Sequence, residues 1–328
     1  MLAGPNQGDR VVEASDENNE DDDTDSGDDG TVPAIIVHGN LNIDSVKITS
    51  WDPTINDYVK FEYDILPGRE LEHSGIDEVP RPYIRVEDDA TGTTNITNSE
   101  LAYLGYEDPN DTHGRSGLLY YGGDGSVVKG NHMHHNRFGF YSSGVGNIVL
   151  EDNLVHDSFM YGFDPHTGTH DMTIRNNTVH NSGAMGIICS LDCYNVMIEN
   201  NDVSNSAGSG IMFSRNMTNS IARNNYVLNE EQCIFVSQSY ENKVYNNTVN
   251  DCGNGIYLKS ESSNNSVFNN PIQDVNGSAI LINDGASDNA VYSNTIVNPS
   301  SEEGAISNED QGNNMIKDNN VVQSPSNT

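Results

Sequence analysis

Apolar residues beyond position 131 come in short runs bounded by Asn, Gly, Ser and Asp, and the runs recur. The phrase Asn, any residue, apolar residue appears as "NHM" at 131, "NLV" at 153, "NTV" at 177, "NDV" at 201, "NYV" at 225, "NTV" at 247, "NPI" at 270, "NTI" at 294 and "NVV" at 320. Successive steps are 22 to 26 residues. A second phrase keeps the same period: "GFYS" at 139, "GFDP" at 162, "GIIC" at 186, "GIMF" at 210, "CIFV" at 233, "GIYL" at 255, "AILI" at 279 and "AIS" at 305. No segment carries the 3.6-residue spacing of an amphipathic helix. Short β-type runs divided by turn residues, repeated at this period, describe a solenoid. The predicted fold is all-β: a single-stranded right-handed parallel β-helix of 22–26 residues per coil. Each coil lies on the next at about 4.8 Å. Asparagines at a fixed corner then stack as a hydrogen-bonded ladder.

One register tests the repeat independently. Two residues before each Asn stand Lys129, Glu151, Arg175, Glu199 and Arg223, then Tyr245, Phe268 and Tyr292. Charges alternate in sign for five coils and three aromatics follow. Stacked coils make these residues direct neighbours, and opposite charges or paired rings are what adjacent strands favour. A disordered Asn-rich chain has no reason to keep that order. Residues 31–110 show shorter β-type runs and read as the first, irregular coils, with an insertion "PTINDYVKFEYDILPGRELEHSGIDEV" between them. The β-helix domain is placed at 31–325, behind a disordered acidic leader at 1–30.

Charge narrows the setting. The formal net charge is −34, of which the first thirty residues carry −10 and the remainder −24. A lysine-poor, acidic surface suits a protein working in concentrated salt, where screening removes self-repulsion. An ordinary acidic secreted protein is the alternative. Nucleic acid is excluded as a partner, because phosphate binding needs a basic face. No run approaches the roughly 18 apolar residues of a membrane span, and no basic-then-apolar signal opens the chain. The expected location is extracellular or cell-surface, from a halophilic source. Cys189, Cys193, Cys233 and Cys252 match neither zinc-ligand nor redox spacing and are expected as buried free thiols. A Cys189–Cys193 bridge is the alternative.

Chemistry concentrates in "YGFDPHTGTHD", Tyr161 to Asp171. Aligned on the repeat, Asp164 takes the place of Tyr141 in the coil before and Ile188 in the coil after. His166 takes that of Ser143 and Ser190. Pro165 removes a ladder donor, a cost that strands seldom carry. Local rules broken at one coil of a consistent repeat mark function; an ordinary turn is the alternative. His170 is placed in the same groove. His134, His156 and His180 follow the Asn phrase on three coils and read as a surface stack rather than a metal site.

These residues resemble the mannuronan C-5-epimerases. The likeness rests on "YGFDPH" within the repeat, on "ITSWD", "RPYIRVEDDATGTTNITNSELAYLGY" and "GFYSSGVGNIVLEDNLVHDSFMYGFDPH" upstream, and on "MTIRNNTVHNSGAMGIICS" downstream. It is similar to the single-domain periplasmic type, and shows none of the calcium-binding nonapeptide repeats of the modular type. The resemblance implies conversion of β-D-mannuronate to α-L-guluronate within an alginate-like polymer. It implies that His166 abstracts H5, that Asp164 shapes the carboxylate end of the site, and that Tyr161 is a candidate proton donor to the opposite face. The family arginine that neutralises the carboxylate falls at Leu191, in "GIICSLDC". Arg215 occupies that place one coil on and is the candidate replacement; a surface arginine is the alternative. Tyr141, His170 and Ser190 complete the expected substrate contacts.

The chemistry fits those residue types. Removing H5, α to a carboxylate, adds negative charge that must be stabilised, and an imidazole is suited to the abstraction near neutrality. No redox cofactor is needed; Ca2+ is left open, with no motif requiring it. The expected partner is an anionic polysaccharide. A polysaccharide lyase using the same first step, and a non-catalytic carbohydrate-binding β-helix, are the other two readings.

Overall fold

The computed structural model describes residues 32–52, 56–58, 79–108, 114–300, 305–309 and 312–323. The expected leader lies outside these residues, and so does most of the insertion. Three parallel sheets of eleven strands each form the walls of a right-handed β-helix, and no helix occurs among the described residues. Every coil contributes one strand to each sheet. Sheet A runs from Ala34–Val37 to Ile306–Asn308, sheet B from Leu41–Asp44 to Met315–Lys317, and sheet C from Lys47–Thr49 to Asn320–Val322. The first two coils are more regular than the sequence indicated. Their strands pair in full register, as in Leu41↔Thr94 and Lys47↔Glu100, and the insertion leaves between them through a short antiparallel pair, Trp51↔Tyr58.

Residues of one period become neighbours in space. The inward column of sheet A runs Phe140, Phe163, Ile187, Ile211, Ile234, Ile256 and Ile280, each fully buried. Burying such a side chain contributes about 1.5–3 kcal/mol, and it is repeated at every coil. From Asn153 onward, each ladder asparagine receives the backbone N–H of the asparagine one coil before and donates its amide to a carbonyl. Asn201 Oδ1 accepts from Asn177 N at 3.0 Å, and Asn201 Nδ2 donates to Ile174 O at 3.0 Å. The corner's inward backbone groups are thereby satisfied without water. The ladder ends on Asn319, bonded to Asn294, one residue before the Asn of the "NVV" phrase. A second ladder, Asn242–Asn265–Asn289–Asn314, lines another corner.

The charge column stacks as its order predicted. Glu151 lies between Lys129 (3.2 Å) and Arg175 (2.9 Å), and Arg223 meets Glu199 at 2.6 Å. Tyr245, Phe268 and Tyr292 then stack nearly parallel at 4.8 and 5.0 Å. The cysteine expectation is corrected: Cys233 and Cys252 form a disulfide, with Cα atoms 5.8 Å apart. Their separation of 19 residues is shorter than a coil, so the pair joins a sheet A strand to the neighbouring coil's corner, off the register that the repeat reveals. Cys189 and Cys193 are buried free thiols.

Candidate functional site

Asp-Pro-His does not interrupt the core. Along the strand Phe163–His166, Phe163 and Pro165 face inward, and Asp164 and His166 project from the outer face of sheet A. The expected alignment holds, with Tyr141↔Asp164, Ser143↔His166 and His166↔Ser190 as register partners. Toward the next coil only Phe163↔Ile187 and His166↔Ser190 remain paired, as a strand lacking one N–H requires. Gly162 lets the coils approach here: a Cβ would lie 2.4 Å from Gly186 O.

His166 is held at both ring nitrogens. Nδ1 is 2.6 Å from Thr167 Oγ1, and Nε2 is 3.2 Å from Arg215 Nη2. Arg215 also donates from Nε to Ser190 Oγ at 2.8 Å. The arginine starts two coils away and reaches back because its backbone is left-handed, φ 52°, which turns the side chain over the sheet. Leu191, one coil before it, occupies the same column with φ 58°. Sequence placement of Arg215 against Leu191 is therefore matched by geometry, and Ser190 is the residue that anchors it.

Asp164 is 2 % exposed, and its Oδ1 is buried without a hydrogen-bond partner among the described residues. Burial pushes its carboxyl well above the usual range, opposed by the charges of Arg215 and Arg137. Burial therefore favours the protonated form of the Asp164 carboxyl, and Oδ1 is left unused. A second apolar cluster on the outside of sheet A, which includes Leu119, Phe138 and Tyr141, ends beside Asp164, whose register partner is Tyr141. Tyr141 lies against the imidazole, ring centroids 5.7 Å apart, and burial raises its phenol. Tyr161 packs at 4.9 Å on Phe138, whose ring is 6.0 Å from Tyr141. The three rings form one aromatic wall that ends at His166.

His170 is not brought to this centre. Its ring stacks on Tyr194 at 4.9 Å and its Nδ1 lies 3.0 Å from Gly168 O. It sits on the corner leading to sheet B, where successive coils pair through isolated bridges. Two residues escaped the sequence reading. Arg137, 2 % exposed, donates to Ser116 Oγ at 2.7 Å and adds the second positive charge acting on Asp164. Thr167 was passed over because it lies beyond the strand; its place next to the candidate base was the available signal.

The family model of the periplasmic copper-binding protein NosD matches residues 94–277, more than half of the chain. The chain belongs to the NosD family. No curated protein matches it. Among solved structures, a point variant of the periplasmic alginate epimerase AlgG is 19 % identical with a TM-score of 0.75, covering 89 % of this chain and 71 % of that one. The A-module of mannuronan C-5 epimerase AlgE4 from Azotobacter vinelandii is 12 % identical with a TM-score of 0.50, covering 89 % and 91 %. A hyperthermoactive exopolygalacturonase from Thermotoga maritima is 12 % identical with a TM-score of 0.56, covering 89 % and 80 %. At these identities the likeness is one of fold, and it bears out the parallel β-helix that the epimerase resemblance implied.

The NosD description names copper, which needs imidazole, thiolate or thioether donors converging on one point. Among the described residues no group of three or more His, Cys, Asp or Glu side chains is arranged to hold a metal ion. The densest imidazole cluster is on sheet C. There His134 stacks on His156 at 5.3 Å and 8°, and His156 on His180 at 5.0 Å and 4°. Stacked rings present faces, not converging lone pairs. The nitrogens nearest each other, His132 Nε2 and His156 Nε2, lie at hydrogen-bond distance, 2.7 Å, and His134 Nε2 contacts Glu100 at 3.2 Å. These donors do not fit a copper centre. No helix of the described residues is long and apolar enough to cross a membrane.

Proposed function

We propose that the chain is a polysaccharide-modifying enzyme that epimerises C5 of β-D-mannuronate to α-L-guluronate in an alginate-like polyuronate. The observation that supports it best is Arg215 bridging Ser190 and His166 beside the unpartnered oxygen of Asp164. A uronate carboxylate entering there meets a guanidinium and a carboxyl that burial biases toward its protonated, donating form. A carboxylate is a stronger acceptor for guanidinium than an imidazole nitrogen. Substrate therefore draws Arg215 off Nε2 and frees that lone pair as the adjacent C5–H arrives. His166 removes H5, Arg215 and Asp164 hold the charge that develops on the carboxylate, and a phenol of the aromatic wall, Tyr161, returns a proton to the opposite face. A secreted or periplasmic setting accords with the Cys233–Cys252 disulfide.

Proton NMR of polymannuronate incubated with the protein in concentrated salt tests it. Guluronate signals appear, deuterium enters C5 from heavy water without chain shortening, and His166→Ala gives neither. Growth of ultraviolet absorbance from a 4,5-double bond identifies a lyase instead. Because the formal charge is −34, approach of a polyanion is repulsive unless screened. Turnover rises with salt over a wide range; monotonic loss from low to high salt contradicts the proposed screening.

A further inference from the structure

Among the described residues, Thr167 stands at the one corner of sheet A where a β-branched residue has been forced into a left-handed backbone. The same corner position is Gly144 one coil before, and Leu191, Arg215, Gln238 and Ser260 in the coils after. All are left-handed, with φ 70° at Gly144 and 58°, 52°, 48° and 54° at the rest. Thr167 has φ 34°, the smallest of the column and the furthest from the allowed well. A β-branched side chain there is a genuine outlier, and glycine is the residue that the position favours. Packing offers no compensation, because Thr167 is exposed. What the side chain does gain is the 2.6 Å contact between its hydroxyl and His166 Nδ1.

The other nitrogen settles the direction of that bond. Arg215 Nη2 has only hydrogens to offer, so the Nε2 it faces at 3.2 Å carries a lone pair. A neutral imidazole has one proton, which then sits on Nδ1 and is donated to Thr167 Oγ1. We propose that Thr167 is a positioning residue that fixes His166 in the tautomer with a bare Nε2, so that this nitrogen is the base. The proposal rests on the epimerase reading for its catalytic consequence, but the tautomer is a property of the resting protein. Backbone strain at a site of this kind is retained for function when the rest of the repeat could dispense with it.

Two measurements decide it. With 15N-labelled histidine, and His166→Asn used to assign the ring, wild type shows a protonated Nδ1 and a bare Nε2 at neutral pH. Thr167→Val keeps the branched shape and deletes the hydroxyl, and the ring loses that single tautomer. On polymannuronate, Thr167→Val lowers kcat by about 10–100-fold, the scale for losing a partner that orients an imidazole, with KM nearly unchanged. Thr167→Ser restores most of kcat. Thr167→Gly matches or exceeds the wild-type Tm and is as slow as the valine variant. A bare Nδ1 in wild type, or wild-type kcat in the valine or glycine variant, overturns the proposal. If wild type turns over no polyuronate at all, the epimerase reading fails while the ring spectrum still decides the tautomer.

Discussion

Two sets of imidazoles lie on this solenoid, and they differ in what repetition has done to them. On sheet C, His134, His156 and His180 occupy one register position in three successive coils, and their rings stack within 8° of parallel. Each resembles its neighbour, and the nitrogens are used sideways, as in His156 Nδ1 to Asp157 at 2.6 Å. On sheet A, His166 stands between Ser143 and Ser190, with no imidazole above or below. Its nitrogens meet two unlike groups, a hydroxyl and a guanidinium. A repeated side chain in a β-helix finds its own copy and becomes structure. One that departs from its column finds different chemistry on either side.

The comparison breaks if removing either kind of histidine has the same result. His166→Asn lowers turnover of polymannuronate by about 10²–10⁴-fold, the usual contribution of a general base, and leaves Tm near wild type because the side chain lies outside the core. His180→Gln, at the end of the stack, leaves kcat within about twofold. Equal losses in initial-rate assays would erase the distinction. Arg215→Ala comes next, with a loss of about 10²–10³-fold, typical of removing one donor to a developing oxyanion. Arg215→Lys does not restore it, since an ammonium cannot span Ser190 and His166 together. A third change probes the repeated side. Asn201→Ala leaves Asn177 N and Asn225's ladder without their middle partner. It lowers stability by about 1–3 kcal/mol, read from denaturant midpoints, with turnover per folded molecule unchanged.

The same contrast explains what the sequence could say. A fixed period turns sequence distance into spatial contact, so the Lys129–Glu151–Arg175 column and the place of Arg215 against Leu191 were legible from spacing alone. Features that leave the register were not. Cys233 and Cys252 pair across 19 residues, and no period of 22 to 26 brings them together. Asn319 and Asn320 stand side by side, and only hydrogen bonds reveal that the first is the rung. The apolar cluster on the outside of sheet A is assembled from Ala34, Tyr83, Leu119 and Phe138, which share no repeat phrase, and it reaches Asp164 through Tyr141. Burial at this place favours the protonated form of the Asp164 carboxyl. Thr167 was legible only as the neighbour of His166, because the backbone sign that sets its hydroxyl apart is not encoded by apolar patterning.

The smallest effect concerns acid. Burial, with added repulsion from His132, His135 and His156, pushes His134 down to about 4, against the hydrogen bond it donates to Glu100, which favours its charge. Burial also lowers His132 and His180. In the unfolded chain these rings titrate near the ordinary value of about 6.5. Depressed folded values mean that the unfolded state binds protons first, so stability is full above about 6.5 and declines as pH falls toward about 4. Asp157 extends the loss below that range: despite burial, hydrogen bonds from His156 and Asn181 hold it at about 2. Tm measured from pH 7.5 to pH 4.5 therefore falls for wild type, and falls less for His134→Gln, whose amide takes no proton. A variant as acid-sensitive as wild type would show that the decline arises from groups outside the stack, and the two sets of histidines would then differ in geometry alone.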